Sequence, residues 1–312
     1  MQHFDAQATR DALPFAPLVQ ALRNMFASGC EVPLRHSHVV ANTSGHTAGT
    51  VLLMPAWVPG RHFGLKTVSI FPGNSALGLP GLHAVYTLFD ATTGVPLAHM
   101  DGNEITTRRT AAASALAASF LARPDAQRLL IVGAGRVAGV MAQALHAVRP
   151  SITQVAVFSR RAEPAQVLVE QLRTLGFDAQ VATDLRTATN QADIVSCATL
   201  STSALIQGAW LKPGAHLDLV GSFAPHMREA DGECLRRCRV FVDTEEALAK
   251  AGDVLQAVAE GHFRPELLQA SLAQLCRGER AGRRHADECT LFKSVGTALE
   301  DLAAAELVFA SR

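Results

Sequence analysis

Apolar residues at Phe15, Leu18, Val19, Leu22, Met25 and Phe26 recur at the spacing of one helix face, and Gly29 follows as a stop. The pattern predicts a helix over 14–28. From 36 to about 99 the period changes to short β-rich runs ("HVVA", "TVLLM", "LKTVSIF", "AVYTLFD") separated by Gly, Pro and Asn, which predicts a sheet. "MDGN" at 100–103 reads as a turn. The Ala-rich stretch "TTRRTAAASALAASFLA" predicts a helix capped by Thr106 or Thr107 and finished before Pro124. From 128 onward apolar strands alternate with helices: "LLIVG", a helix to about 149, "VAVFS", a helix over 165–175, "DAQVA", a short helix, then "DIVSCA", "AHLDLVG" and "RVFVD". Such alternation predicts parallel βαβ units. "LFKSVGTALEDLAAAELVFA" reads as a closing helix through Phe292, Val295, Leu299, Leu302 and Val308. The chain shows no internal repeat and no low-complexity tract.

Composition narrows the class. With 312 residues, 48% of them apolar, the chain can build one large or two medium domains, each with a core. Lys plus Arg (28) balances Asp plus Glu (28), so charge gives no reason to expect nucleic acid or an anionic membrane as partner. The chain has no long apolar run that would span a membrane and no basic-then-apolar leader, so a cytoplasmic protein is expected. Cys30, Cys197, Cys234, Cys238, Cys276 and Cys289 are scattered, which argues for reduced thiols rather than a disulfide framework. The lone "CLRRC" pair has no second pair and no nearby His, so no metal is expected.

The candidate chemistry begins at Gly133-Ala134-Gly135-Arg136-Val137-Ala138, which fits GxGxxA between a strand and a helix. The first glycine makes a tight turn, the second admits a pyrophosphate against backbone, and the small third residue lets helix pack on sheet. The helix start then offers free N–H groups to phosphate. A site for NAD usually carries an acidic residue at the end of the second strand. Here that strand ends "VFSRR", and Ser159, Arg160 and Arg161 suit a 2′-phosphate instead. NADP(H) is therefore the preferred cofactor expected, with NAD(H) also possible.

"MDGNEITTRRTAAASALAASFLA", "GAWLKPGAHLDLVGSFAPHMREAD", "VDTEEALAKAGDVL" and "TLFKSVGTALEDLAAA" resemble the ornithine cyclodeaminase/mu-crystallin family, in order and correctly spaced from about residue 30 to the C-terminus. The resemblance implies a Rossmann-type doubly wound parallel sheet (116–289) inserted into a second α+β domain (1–115 plus 290–312) that binds substrate and dimerises. Members of the family are cyclodeaminases, amino-acid dehydrogenases, opine-type dehydrogenases and cyclic ketimine reductases, all handling an imine next to a carboxylate beside a nicotinamide. The resemblance implies substrate roles for Arg35 in "VPLRHSH", Lys66 in "GLKTVS" and Arg109 before "TAAAS". It also implies that Ser294, in the segment with Gly296, returns to the nicotinamide, and Ala198, Thr199, Val220 and Gly221 complete the cofactor candidates.

On the predicted elements Arg109 sits in the first turn of its helix, where a guanidinium adds to the free N–H groups as a carboxylate clamp. Arg108 is about 100° round the helix and faces elsewhere. A buried Lys66 near arginines has its pKa pushed down and can trade a proton near neutrality, or it binds carboxylate. His83 is a candidate pocket residue or a structural one, and Asp101 is turn chemistry.

Two departures from the family pattern discriminate among reactions. Deaminating and amino-acid-oxidising members carry an aspartate where this chain has Phe223, and cyclodeaminases carry a glutamate where it has Leu52. Without such a base an ammonium substrate is hard to deprotonate, whereas a preformed cyclic imine needs only a carboxylate clamp, a proton and a hydride. His226 or Glu229 is the alternative source of a base. The expectation is an NADPH-dependent reductase of Δ1-pyrroline-2-carboxylate and Δ1-piperideine-2-carboxylate, giving L-proline and L-pipecolate. The alternatives are ornithine cyclodeamination with recycled NAD, and a low-turnover NADPH-binding protein.

Overall fold

The computed structural model describes residues 1–43 and 45–311. The chain divides into two compact units, residues 1–109 with 297–312, and residues 110–296. The sequence placed these breaks at 115/116 and 289/290.

The first unit is built on a six-stranded sheet of Gln2–Phe4 (β1), His36–Ala41 (β2), Thr47–Trp57 (β3), His62–Ile70 (β4), Leu82–Asp90 (β5) and Pro96–Asp101 (β6), in the order β1-β6-β5-β4-β3-β2. All pairs are antiparallel except β1 with β6. Side chains alternate between faces, so one face collects Met54, Ala56, Lys66, Val68, Ala84, Tyr86, Leu88, Ala98 and Met100, all buried. The helix Ala298–Ala310 lies against β3, β4 and β5 and packs on the helix Phe15–Ser28, whose apolar face is the one the sequence marked. At Gly64 a Cβ would sit 1.8 Å from the Tyr86 hydroxyl, so only glycine lets that ring pass under β4.

The strand β6 runs straight into the helix Gly102–Leu121, and "MDGN" is a strand-to-helix junction instead of a hairpin turn. Asp101 Oδ1 accepts from the Glu104 N–H at 2.8 Å and caps the helix. Thr106 is already inside it, with its hydroxyl donating to the Gly102 carbonyl at 2.7 Å. The helix thus starts four residues before the first threonine cap expected, and Arg109 lies beyond its first turn. Gly102 is set by contact: a Cβ there would lie 2.7 Å from the Ala84 carbonyl carbon and 2.7 Å from the Val85 nitrogen.

The second unit is an eight-stranded, wholly parallel sheet. Its elements in chain order are Arg128–Val132 (β7), Gln154–Phe158 (β8), Asp178–Val181 (β9), Ile194–Cys197 (β10), Thr202–Ile206 (β11), His216–Leu219 (β12), Arg228–Ala230 (β13), Arg239–Val242 (β14), Ala270–Ser271 (β15) and Thr290–Lys293 (β16). The order is β15-β14-β16-β12-β10-β7-β8-β9, with β11 and β13 paired separately. The chain winds outward from β7 through β8 to β9, then returns to β7's other side at β10. This is the doubly wound, Rossmann-type arrangement, with its switch point between β7 and β10. "LFK", read as the start of the last helix, belongs to β16 between β12 and β14, and the helix begins only at Ala298. All four β16 residues are buried, so the run has no period-2 signature to separate it from a buried helix. Among the described residues no helix is long and apolar enough to cross a membrane.

Gly102→Ala is expected to destabilise the protein by about 1–3 kcal/mol, because the clash is with backbone that cannot turn aside. Calorimetric unfolding measures it, and an unaltered melting profile would show that the helix start is free to shift.

Candidate active site

In the second unit the glycine turn follows β7 at the switch point. Gly133 has φ +115° and donates its N–H to the Phe158 carbonyl at 2.8 Å, which brings the ends of β7 and β8 together. A Cβ on Gly133 would lie 2.5 Å from the Ala198 carbonyl oxygen and 3.3 Å from Thr199 Cγ2. Gly135 caps the helix Arg136–Val148 in an extended conformation with no side-chain cap, so no cap side chain takes the first N–H groups. A Cβ on Gly135 would meet no protein atom within 4 Å, so internal packing does not explain that glycine. Ala138 is fully buried where helix meets sheet, with Ala134, Arg136 and Val137 completing the turn.

The other cofactor candidates gather at the same carboxyl ends. The Ala198 N–H donates to the Val132 carbonyl, Val220 to Cys197 and Ser294 to Leu219, at 2.9, 2.9 and 3.1 Å. Gly221 presses on the Thr199 carbonyl. Ser159 is half-buried after β8, and Arg160 and Arg161 are exposed. A groove of about 480 Å³ lies elsewhere in this unit, lined by Arg128, Gln154, Asp178 and Gln191 among others, and does not include the turn.

In the first unit Lys66 and Arg109 come together through two residues the sequence did not single out. Lys66 is 2% exposed and its Nζ lies 2.7 Å from Asp301 Oδ2, with the Thr106 hydroxyl accepting at 3.3 Å. Arg109 Nε donates to Asp301 Oδ1 at 2.9 Å, and its Nη1 donates to Glu300 Oε2. Glu300 and Asp301 are fully buried at the start of the closing helix. Burial pushes Lys66 down to about 8; Asp301 pulls the other way, and Arg109 adds to the fall. Burial also disfavours the Arg109 charge, but Asp301 and Glu300 outweigh it and hold the guanidinium protonated above its usual range. Burial opposes ionisation of Asp301 too, yet Lys66 and Arg109 keep its carboxyl below the ordinary carboxylate value. "TALEDLAAAELV" did carry a signal, two adjacent acids in an Ala/Leu helix. First-turn acids are usual at a helix start, so they drew no notice.

Arg108 turns away from this cluster: its Nε donates to the Leu13 carbonyl at 2.7 Å and its guanidinium lies 4.2 Å from the Phe15 ring centroid. Arg35 is half-buried just ahead of β2, where the next pair in register is His36 with Leu53. The row Met54, Lys66, Tyr86, Met100 crosses β3 to β6 beside it. Leu52 shares the Lys66 face by alternation, two residues from Met54 on β3, and brings no carboxylate to it. His83 is exposed, on the face opposite Tyr86, so the pocket role considered for it does not hold. In the second unit Phe223 is half exposed and His226 is exposed. Glu229 is fully buried, and both its oxygens accept from backbone N–H groups. None of the six cysteines is joined in a disulfide.

The profile of the ornithine cyclodeaminase/mu-crystallin family matches residues 11–312. The chain belongs to that family. Within it, a Δ1-pyrroline-2-carboxylate reductase of Paracoccus denitrificans is 41% identical, over 85% of this chain and 84% of that one. Among solved structures, the Thermococcus litoralis Δ1-pyrroline-2-carboxylate reductase in complex with NADH and L-proline superimposes with a TM-score of 0.91 at 31% identity, over 99% of this chain and 97% of that one. An archaeal alanine dehydrogenase dimer with bound NAD gives 0.90 at 27% identity, over 99% and 95%. By this kinship the family member described here is an oxidoreductase.

Replacing Asp301 by Asn removes the main group that raises the Lys66 pKa and leaves burial and Arg109, which lower it, against the weaker pull of Glu300. Lys66 is expected to titrate below about 8, observed by NMR of its labelled side chain. The lost charge partner should cost about 3–5 kcal/mol of stability. A Lys66 titration that stays in place would show that Asp301 does not set its charge.

Proposed function

We propose that the protein reduces Δ1-pyrroline-2-carboxylate to L-proline, and the six-membered Δ1-piperideine-2-carboxylate to L-pipecolate, with a nicotinamide dinucleotide. The observation that carries this reading is the buried Lys66–Asp301–Arg109 arrangement, which offers cationic groups and an exchangeable proton on a sheet face where position 52 is a leucine. Two of the relatives named above are Δ1-pyrroline-2-carboxylate reductases, one of them in complex with NADH and L-proline, which supports the five-membered substrate.

The reaction needs three things from the chain. The substrate carboxylate is met by Arg109 and Arg35, guanidinium groups suited to carboxylate. Lys66 gives its proton to the imine nitrogen, which makes the C=N carbon electrophilic; a pKa near 8 leaves the ammonium largely protonated at neutral pH yet able to give the proton up. Asp301 holds the Lys66 Nζ in place and keeps it charged against its burial. The nicotinamide, when bound, supplies the hydride to the imine carbon. The second unit would hold that dinucleotide with the Gly133–Ala138 turn at the pyrophosphate and Ala198, Thr199, Val220, Gly221 and Ser294 at the strand ends. Arg160 and Arg161 add charge for a 2′-phosphate, so NADPH is the proposed preference over the NADH and NAD of the solved relatives. A homodimer in the cytoplasm is proposed as well, supported by the dimeric alanine dehydrogenase and by the face of the first sheet opposite Lys66, where Val85 is exposed.

Loss of NADPH absorbance with Δ1-pyrroline-2-carboxylate tests the activity, and absence of turnover with either cofactor would refute it. The rate should fall as pH rises through about 8, because the donor is the protonated Lys66. Lys66→Ala should lower kcat about 10²–10⁴-fold and remove that limb of the profile. The double change Arg160→Ala and Arg161→Ala should raise KM for NADPH about tenfold or more while sparing NADH, each charged hydrogen bond being worth about 1.5–3 kcal/mol. Equal effects on both cofactors would show that these arginines do not read the 2′-phosphate.

A further inference from the structure

The loops bearing Thr199 and Gly221 are tied together by one buried side chain outside the set of cofactor candidates. Glu229, on β13, is fully buried. Its Oε1 accepts from the Thr199 backbone N–H at 2.7 Å and from the Thr199 hydroxyl at 2.8 Å, and its Oε2 accepts from the Gly221 N–H at 2.7 Å. A Cβ on Gly221 would lie 2.0 Å from the Thr199 carbonyl oxygen and 2.4 Å from Glu229 Oε1. The turns after β7, β10 and β12 therefore touch one another through backbone, and one carboxylate fastens two of them.

Glu229 is itself held. Asp253 Oδ1, at the start of the helix Gly252–Ala259, accepts from the Glu229 and Ala230 N–H groups at 2.7 and 2.9 Å. Lys293 on β16 donates to the Leu219 carbonyl at 3.0 Å, with its Nζ 3.6 Å from Asp253 Oδ2. The ionisable groups bearing on Glu229 are thus Asp253, Lys293 and the Cys197 thiol of β10. Arg228, next to it on β13, pairs with Glu260 instead. Asp218 on β12 and Asp243 after β14 bear on Lys293.

We propose that Glu229 is a positioning residue for the dinucleotide: as a carboxylate it fixes the Thr199 and Gly221 loops in the shape that takes the cofactor, and on protonation it releases one of them. The inference rests on the assignment of these loops to a dinucleotide site. Three donors converge on two carboxylate oxygens. A carboxylic acid presents an O–H of its own, which opposes at least one of those donors, so one tie is lost. Burial raises this group to about 7, with Lys293 acting against the rise and Asp253 with it, which puts the change near neutrality. The sign for stability is opposite to the sign for binding. The folded chain holds this proton more tightly than the unfolded chain, so acidification through 7 does not weaken the fold through Glu229 while it loosens the loops.

The test is fluorescence titration of the whole protein with NADH, which has no 2′-phosphate to titrate, from about pH 8.5 to about pH 5.5 without substrate. The unaltered protein is expected to lose about tenfold in NADH affinity across the range, the worth of one hydrogen bond, with no loss of melting temperature caused by Glu229. Glu229→Gln keeps one acceptor and sets an NH₂ group against a donor, so it should bind about tenfold more weakly at the alkaline end and show a flat profile. A Glu229→Gln profile as steep as that of the unaltered protein overturns the inference. No NADH binding by the unaltered protein at any pH overturns the dinucleotide assignment instead. Should Glu229→Gln fail to fold, hydrogen exchange in the unaltered protein decides. The Thr199 and Gly221 amides should lose protection relative to Val155 and Val157 of β8 as pH falls through about 7, and a constant ratio overturns the proposal.

Discussion

A lysine ammonium beneath a β-sheet stays charged only if a carboxylate stands against it, and in this chain that carboxylate is Asp301. Its two oxygens serve two cations, Lys66 through one and Arg109 through the other. Three separate segments are thereby fixed relative to one another: the middle of β4, the third turn of the helix Gly102–Leu121, and the first turn of the closing helix. Buried ion pairs add little net stability because desolvation cancels most of the attraction, while removal of one member is costly. Such a cluster is better understood as fixing geometry and charge state than as a source of stability. Lys66, tuned near neutrality between burial and Asp301, has the acidity the proposed imine protonation calls for.

The second unit applies the same device to backbone. Parallel strands end in loops whose N–H groups have no ladder partner, and those ends must be satisfied somewhere. Here buried carboxylates do it: Glu229 for Thr199 and Gly221, Asp253 for Glu229 and Ala230, and Asp243 for Val295 and Gly296 at 2.8 and 2.7 Å. Lys293 is the buried cation among them. Loops held in this way can present backbone to a ligand without a mobile side chain in between, which is what a pyrophosphate turn requires.

What could be read from the sequence was whatever the chain encodes locally. The GxGxxA turn, the strand before it and the helix after it are contiguous, and Gly133 answers to a steric demand at the strand ends, so the spacing was sufficient. The α/β class followed from alternation of elements in the same way. Contacts between distant segments could not be read. Arg109 meets Asp301 across 192 positions, and nothing in "ALEDLAAAEL" distinguishes a buried pair of acids from an ordinary helix start. The β16 strand was misread because a fully buried parallel strand has no period. The start of the Gly102–Leu121 helix was misread because "DG" is a strong turn signal wherever Gly102's fit against β5 cannot be seen.

The proposed direction of the reaction follows from where carboxylates are and are not committed. Oxidising an amino acid requires a free base to take a proton from an ammonium group. The acids buried in the first unit, Glu300 and Asp301, are engaged with Arg109 and Lys66, and those cations hold Asp301 below the usual carboxylate range. In the second unit Glu229 accepts from backbone through both oxygens, and position 223 is a phenylalanine. The first unit's cluster, taken by itself, is rich in groups that give protons or hold anions and has its acids already paired with cations. A cyclic imine carboxylate brings its own anion and a nitrogen that needs a proton, and those are the two requirements that Arg109 with Arg35, and Lys66, are suited to meet.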